Sequence, residues 1–270
     1  MITLLITALL VVLLYVLSTR GRRGHPGLEQ LRGWSYAHRG LHDAEHPENS
    51  LAAFRAALEG GYGIELDVHL LADGTLGIMH DSVLLRTTGR EGIMEDLTAD
   101  RLQDYRLEGT QEIIPTLRQV LELFDGKAPI IVELKPVGGN HARLAEAACN
   151  LLATYPGAYC IESFDPRCIY WLKKHRPQVI RGQLTENFLK GKHPVPWILR
   201  FFITHQMANF LTRPDFVAYK FADRKTVSNV LARKLWGMQG VAWTLKNPAE
   251  QALAQAENWI PIFEDYRPKQ

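Results

Sequence analysis

The sequence predicts an α/β chain, a closed (β/α)8 TIM barrel preceded by one N-terminal transmembrane helix. Three features carry this expectation. Short apolar runs of strand length recur along the chain, segments with one apolar face at helical spacing separate most of them, and an uncharged apolar run opens the sequence.

The opening run extends from Ile2 to about Thr19 and is followed at once by Arg20, Arg22 and Arg23. It lies at the short end of the ~17–25 residues a spanning helix needs. A cleaved secretory signal would carry positive charge before the apolar run and a small-x-small site after it, and this segment has neither. Arginines on the C-terminal flank place the remainder in the cytoplasm by the positive-inside bias. The expected organisation is therefore an anchor over residues 1–19, a linker over 20–33 and a barrel domain over 34–270, in a single-pass membrane protein.

Strand candidates follow in order: SYAH (35–38), YGIELDVHL (62–70), TLGIM (75–79), PIIVEL (129–134), AYCIESF (158–164), QVIRGQL (178–184), DFVAYKF (215–221), GVAWTL (240–245) and WIPIF (259–263). Between them, Leu51, Phe54 and Leu58, or Leu117, Val120, Leu121 and Phe124, repeat at the spacing of a helix with one buried face. Continuously apolar strands alternating with such helices argue for a parallel sheet covered by helices, and this number of strands favours closure into a barrel over an open sheet. No G-x-G-x-x-G or G-x-x-x-x-G-K-[ST] follows any strand, against a nucleotide-binding open sheet.

Composition narrows the function classes. Lys and Arg number 31 against 29 Asp and Glu, a formal charge of +2, so there is no basis for a nucleic-acid footprint. Cys149, Cys160 and Cys168 form no C-x-x-C pair and no even set for a disulfide framework.

In a barrel, chemistry sits where strands end. The polar residues there are His38 and Arg39, Glu65 and Asp67, Glu133 and Lys135, with Ser163, Lys220, Trp243 and Asp265 behind them. Three acids from two strands on one rim repel unless a cation or a proton sits among them, and all-oxygen carboxylate sites suit Ca²⁺ or Mg²⁺. Asp73-Gly74 between alternating strand residues reads as a two-residue hairpin turn. With that turn, positions summing to 147 face each other, so His80 opposes Asp67 and shares a face with Glu65. The return strand 75–79 is then surplus to the barrel, an arm above its mouth.

The motifs AHRG, PENS, IELDVHLLADG, IMHD, IPTL, VELK and AWTLKNP, in this order, resemble the glycerophosphodiester phosphodiesterase family, within the wider group of phosphatidylinositol-phospholipase-C-like barrels. The resemblance runs from residue 36 to about 268. It implies a (β/α)8 barrel that uses a divalent metal to hydrolyse glycerophosphodiesters to sn-glycerol 3-phosphate and an alcohol. It implies Glu65, Asp67 and Glu133 as metal ligands, His38 and His80 as general acid and base, and Arg39 and Lys135 as phosphate-binding cations. Glu48 and Asn49 match the element that starts the first helix and braces the site.

Several readings stay open on sequence alone. Lys135 either contacts phosphate or neutralises Glu133. Asn49 and Ser50 could cap the helix from Leu51 in any protein. Trp243 is either core or a wall for the substrate's glycerol, and the nucleophile is either water or a neighbouring glycerol hydroxyl. Where the family commonly ends its last strand with Thr-Asp-x-Pro, this chain has FEDYRP, with Glu264 in place of the Thr. A further departure is an insertion whose apolar residues, over 194–211, suit either an interfacial membrane helix near the mouth or a helix packed on the barrel wall. The first would favour lysophospholipase D-type action on membrane lysophospholipids over soluble glycerophosphodiesters. A catalytically silent, membrane-tethered binding module would be expected to lack one of His38, Glu65, Asp67, His80 or Glu133, and all five are present.

Overall fold

Eight parallel strands close on themselves in the computed structural model, which describes residues 1–192 and 194–269. His193, inside the insertion, and Gln270, the last residue of the expected barrel domain, lie outside the described residues. The strands are β1 (Tyr36–His38), β2 (Gly63–Leu70), β4 (Ile130–Leu134), β5 (Tyr159–Ser163), β6 (Arg181–Thr185), β7 (Phe216–Lys220), β8 (Gln239–Leu245) and β9 (Trp259–Phe263), and β1 pairs with both β2 and β9 to close the ring. The ninth strand, β3 (Leu76–Ile78), pairs antiparallel with β2 outside that ring, as expected of the surplus strand.

Strand alternation divides the core into two apolar layers. Tyr36, Ile131, Cys160, Phe216, Ala218 and Val241 form one cluster of alternate strand residues, which fills the barrel interior. Ile64, Val132, Ile161 and Val217, of opposite parity, pack with Phe54, Leu117, Val120 and Phe124 of the surrounding helices. Gly182 sits on the interior face because an added Cβ would lie 2.0 Å from the Phe216 ring. The same parity carries His38, Glu65, Asp67 and Glu133 inward, with His38 and Glu133 two residues beyond the interior Tyr36 and Ile131 and Asp67 level with Glu133.

The helix that follows β1, Leu51–Glu59, starts where Ser50 accepts a hydrogen bond from the Ala53 amide, so Ser50 is the cap and Asn49 is released for another role. Leu117–Phe124 is opened by a capping box between Thr116 and Gln119 and buries Leu117, Val120, Leu121 and Phe124.

The hairpin register differs from expectation by one residue. Val68 opposes Ile78 and Leu70 opposes Leu76, so paired positions sum to 146 and Asp67 lies across from Met79, not His80. The cause is a longer turn. Asp73 Oδ1 accepts from the Thr75 amide, Gly74 takes a φ of +88°, and Leu71 and Thr75 close the loop. Since β3 ends at Ile78, His80 lies beyond the ladder and its direction is set by the following loop rather than by alternation.

The N-terminal segment also corrects its reading. The helix Ile2–Ser18 has 17 residues, and among the described residues no helix is long and apolar enough to cross a membrane. At 1.5 Å per residue it extends about 26 Å, short of the ~30 Å hydrocarbon core. The expected 20–33 linker is no free tether, because Arg22 pairs with Asp215 and donates to the Pro177 carbonyl, while Leu28 and Leu31 are buried in the interior cluster. In the insertion, helices Trp197–Thr204 and Asn209–Thr212 leave Trp197, Ile198, Leu199, Phe202, Phe210 and Leu211 exposed, so this apolar row is not packed on the barrel wall.

Candidate active site

Three carboxylates meet at the strand-end mouth. Glu65 and Asp67 come from β2 and Glu133 from β4, where Asp67 and Glu133 are direct cross-strand partners. All three are buried, and each offers an oxygen within 4.8 Å of the others. Burial, then repulsion from Asp67 and Glu133, pushes the Glu65 carboxyl well above its ordinary range. Burial and the Asp67 charge likewise push Glu133 up to about 7 against the pull of Lys135. Asp67 goes the other way: burial opposes its charge, but Lys135, His80 and Arg39 hold it well below the usual carboxylate range.

The two cations singled out in the sequence are seated among these acids. Lys135 Nζ lies 2.8 Å from Glu133 Oε1 and 3.1 Å from Asp67 Oδ1. Arg39 donates to both oxygens of Glu48 at 3.1 and 3.2 Å, and its Nε lies 3.5 Å from Asp67. Glu48 therefore holds the guanidinium in place, and it is itself gripped by Arg86 at 2.6 Å. Asn49, buried and with a φ of +57°, donates from Nδ2 to Asp67 Oδ2 at 2.9 Å. The pair that braces the site in the sequence reading thus reaches one cation and one acid.

Both histidines border the acids. His38 presents Nε2 3.9 Å from Glu65 Oε2 and Nδ1 3.2 Å from Glu264 Oε2. His80 Nδ1 lies 2.7 Å from Asp81 Oδ1, and His80 shares a cavity of about 770 Å³ with Glu133, Lys135, Phe164, Leu85 and Val137. Burial lowers the pKa of each imidazole despite the neighbouring acids. Trp243, at the end of β8, packs edge-to-face on Phe164 with ring centres 5.8 Å apart, and its indole nitrogen is buried without a partner among the described residues.

Glu264, Glu162 and His69 lie outside the sequence-based set. Glu264 bridges His38 and His42, at 3.2 Å from each, and pairs with Lys246. The departure from Thr-Asp-x-Pro was the signal available for it. Glu162, the β5 partner of Glu133, is buried and pushed well above its ordinary range by burial and by Glu133. An inward parity within AYCIESF pointed to it. His69 shares the face of Glu65 and Asp67, and its Nδ1 lies 2.6 Å from Glu95, which also accepts from Ser82 at 2.5 Å. That chain of contacts ties the loop bearing His80 to β2.

A model of the glycerophosphoryl diester phosphodiesterase family matches residues 38–267. The chain belongs to this family. Glycerophosphodiester phosphodiesterase 1 of Rattus norvegicus is 30% identical over 275 residues, covering 86% of this chain and 79% of that protein. Its Bos taurus counterpart is 34% identical over 258 residues, covering 80% and 72%. Among solved structures, an Oleispira antarctica phosphodiesterase in complex with the product sn-glycerol-3-phosphate matches with a TM-score of 0.71 at 24% identity, over 87% of this chain and 93% of that one. This last likeness shows the fold, and membership rests on the family model and the mammalian relatives.

Proposed function

We propose that the chain hydrolyses glycerophosphodiesters to sn-glycerol 3-phosphate and an alcohol by metal-dependent acid–base catalysis. The observation that carries the reading is one mouth at which three close, buried carboxylates meet two histidines and two cations. The named product of the Oleispira antarctica phosphodiesterase supports the same chemistry.

The donor set fits a hard divalent cation, because Glu65, Asp67 and Glu133 offer only oxygens and the repulsion raising two of them is what such an ion relieves. Bound by these residues, Ca²⁺ or Mg²⁺ supplies Lewis-acid stabilisation of charge on the non-bridging phosphoryl oxygens. Lys135 and Arg39 hold the phosphoryl group by charge-assisted hydrogen bonds, with Glu48 and Asn49 fixing Arg39 and Asp67. One imidazole removes the proton from the attacking hydroxyl, and the other donates a proton to the leaving alkoxide. Their lowered pKa values keep a neutral, proton-accepting nitrogen available near pH 7. Phe164 and Trp243 wall the organic part of the substrate. Incubating the full chain with glycerophosphocholine tests this: sn-glycerol 3-phosphate and choline are expected, and release of phosphocholine would contradict the assigned bond.

Membrane association is part of the same reading. The exposed apolar helix Ile2–Ser18 and the exposed row from Trp197 to Leu211 support a membrane-surface position, and Arg20, Arg22 and Arg23 after the helix suit the anionic cytoplasmic leaflet. Protease protection of the barrel in intact cells tests that side, and cleavage from outside would overturn it.

A further inference from the structure

The mouth accounts for the acids and histidines, but not for a second concentration of charge at the opposite end of the barrel. There, Arg20, Arg22, Arg23, Lys173, Arg181 and Arg213 line one cavity of about 480 Å³, together with Leu235 and Trp236. They come from four separate parts of the chain: the segment after the helix Ile2–Ser18, the helix Pro166–His175, the start of β6 and the turn before β7. Among the described residues, Asp215 is the one carboxylate paired with this set, and both of its oxygens are taken by Arg22.

Arg181, Arg213, Lys173 and Arg20 are held by neutral groups. Arg181, only 2% exposed, donates to the carbonyls of Thr212 and Arg213. Arg213 donates to the Gly21 carbonyl at 3.2 Å, Lys173 donates to that of Leu211 at 2.5 Å, and Arg20 lies over the Trp236 ring. These contacts aim and rigidify the cations without neutralising them. Burial and the Arg22 charge bring Arg181 down to about 10, and burial followed by Arg213 lowers Lys173, as expected of cations gathered without enough counter-charge.

A fold that converges six cations on one acid is built for a multiply charged anion, and fixed guanidinium forks match phosphate oxygens. We infer that this basal cavity binds a phosphate-bearing anion at a site separate from the catalytic mouth. A phosphomonoester or anionic phosphodiester group has the charge and the acceptors. Its source is either a phosphate free in solution or the headgroup of an anionic lipid. The apolar helix Ile2–Ser18 ends at the rim, and Phe210, Leu211 and Leu235 are exposed in neighbouring segments, a setting that suits the lipid.

The test compares the full chain with Arg23→Gln/Arg213→Gln and with a control of equal charge loss outside the cavity, Lys174→Gln/Lys234→Gln. Inorganic phosphate is titrated by thermal shift, and vesicles of phosphatidylcholine with or without phosphatidylglycerol are assayed by flotation. Phosphate stabilisation, or recruitment to phosphatidylglycerol in excess of phosphatidylcholine, is expected to weaken about tenfold in the cavity variant and much less in the control. Loss in the phosphate arm identifies a soluble anion, and loss in the vesicle arm alone identifies a lipid headgroup. Equal behaviour of the cavity variant and the control in both arms would overturn the site. Turnover of glycerophosphocholine is expected to stay unchanged in both variants, which separates this result from any failure of the catalytic assignment.

Discussion

His38 Nδ1 lies 3.2 Å from Glu264 Oε2, and this carboxylate stands where the family commonly has threonine. A carboxylate this close favours the Nδ1–H tautomer of a neutral His38, although the pair lacks hydrogen-bond geometry, and leaves Nε2 facing the carboxylate cluster. Glu264 is in turn held well below its ordinary pKa, against burial, by His38, His42 and Lys246. Replacing it by Gln removes the charge and keeps an amide able to hydrogen-bond. Glu264→Gln is expected to lower kcat by about 10–100-fold with little change in KM, and Glu264→Asp to restore part of it. Steady-state kinetics on glycerophosphocholine checks this. A kcat within about twofold of the parent would remove Glu264 from the reaction.

Cation binding should weaken as pH falls. Glu65 and Glu133 are both raised, so each must lose a proton for the cation to bind. With Glu133 at about 7, lowering the pH from about 8 to about 6 is expected to weaken apparent affinity roughly tenfold. The stability sign is fixed by the same shift. A carboxyl raised above its unfolded value of about 4.3 contributes stability below that pH and loses it as pH rises through about 7. The cation should therefore raise Tm more at about pH 8 than at about pH 6, and calorimetry showing the reverse order would contradict the assignment of these acids.

Asn49 is expected to matter for both stability and activity. Asn49→Ala leaves an Asp67 oxygen without its donor and places alanine at a φ of +57°. A loss of about 1–3 kcal/mol is expected in denaturant unfolding, with reduced cation affinity. Unchanged unfolding and affinity would show that the contact contributes nothing.

The thiols should be silent in the native state. Cys149, Cys160 and Cys168 are buried, and burial pushes Cys149 up to about 11 and Cys168 up to about 12. Native protein treated with iodoacetamide at neutral pH should show no label, and unfolded protein should show three. Rapid native labelling would mean that the helix His141–Leu152, which carries Cys149, or its neighbours open readily.

Much of this was legible in the sequence because burial writes a simple pattern. Barrel strands are apolar on both faces, so runs such as PIIVEL and WIPIF marked β4 and β9 within a residue. The motif order singled out Glu65, Asp67, Glu133 and the two histidines, which the fold brings to one mouth. The hairpin register was not legible, since two residues of Asp-Gly chemistry do not reveal that Asp73 bonds the Thr75 amide and lengthens the loop. Nor was the role of Glu264, because its contacts with residues 38, 42 and 246 are made only when the ring closes β9 onto β1. The N-terminal run was misread by length, since one turn less of helix separates an exposed apolar helix from a spanning one.

The most direct measurement is release of sn-glycerol 3-phosphate from glycerophosphocholine by the full chain, with and without EDTA, beside His38→Ala and His80→Ala. The account predicts turnover that EDTA abolishes, Mg²⁺ or Ca²⁺ restores, and either substitution lowers by at least about 10²-fold. Turnover insensitive to EDTA, or intact in both histidine variants, would contradict it.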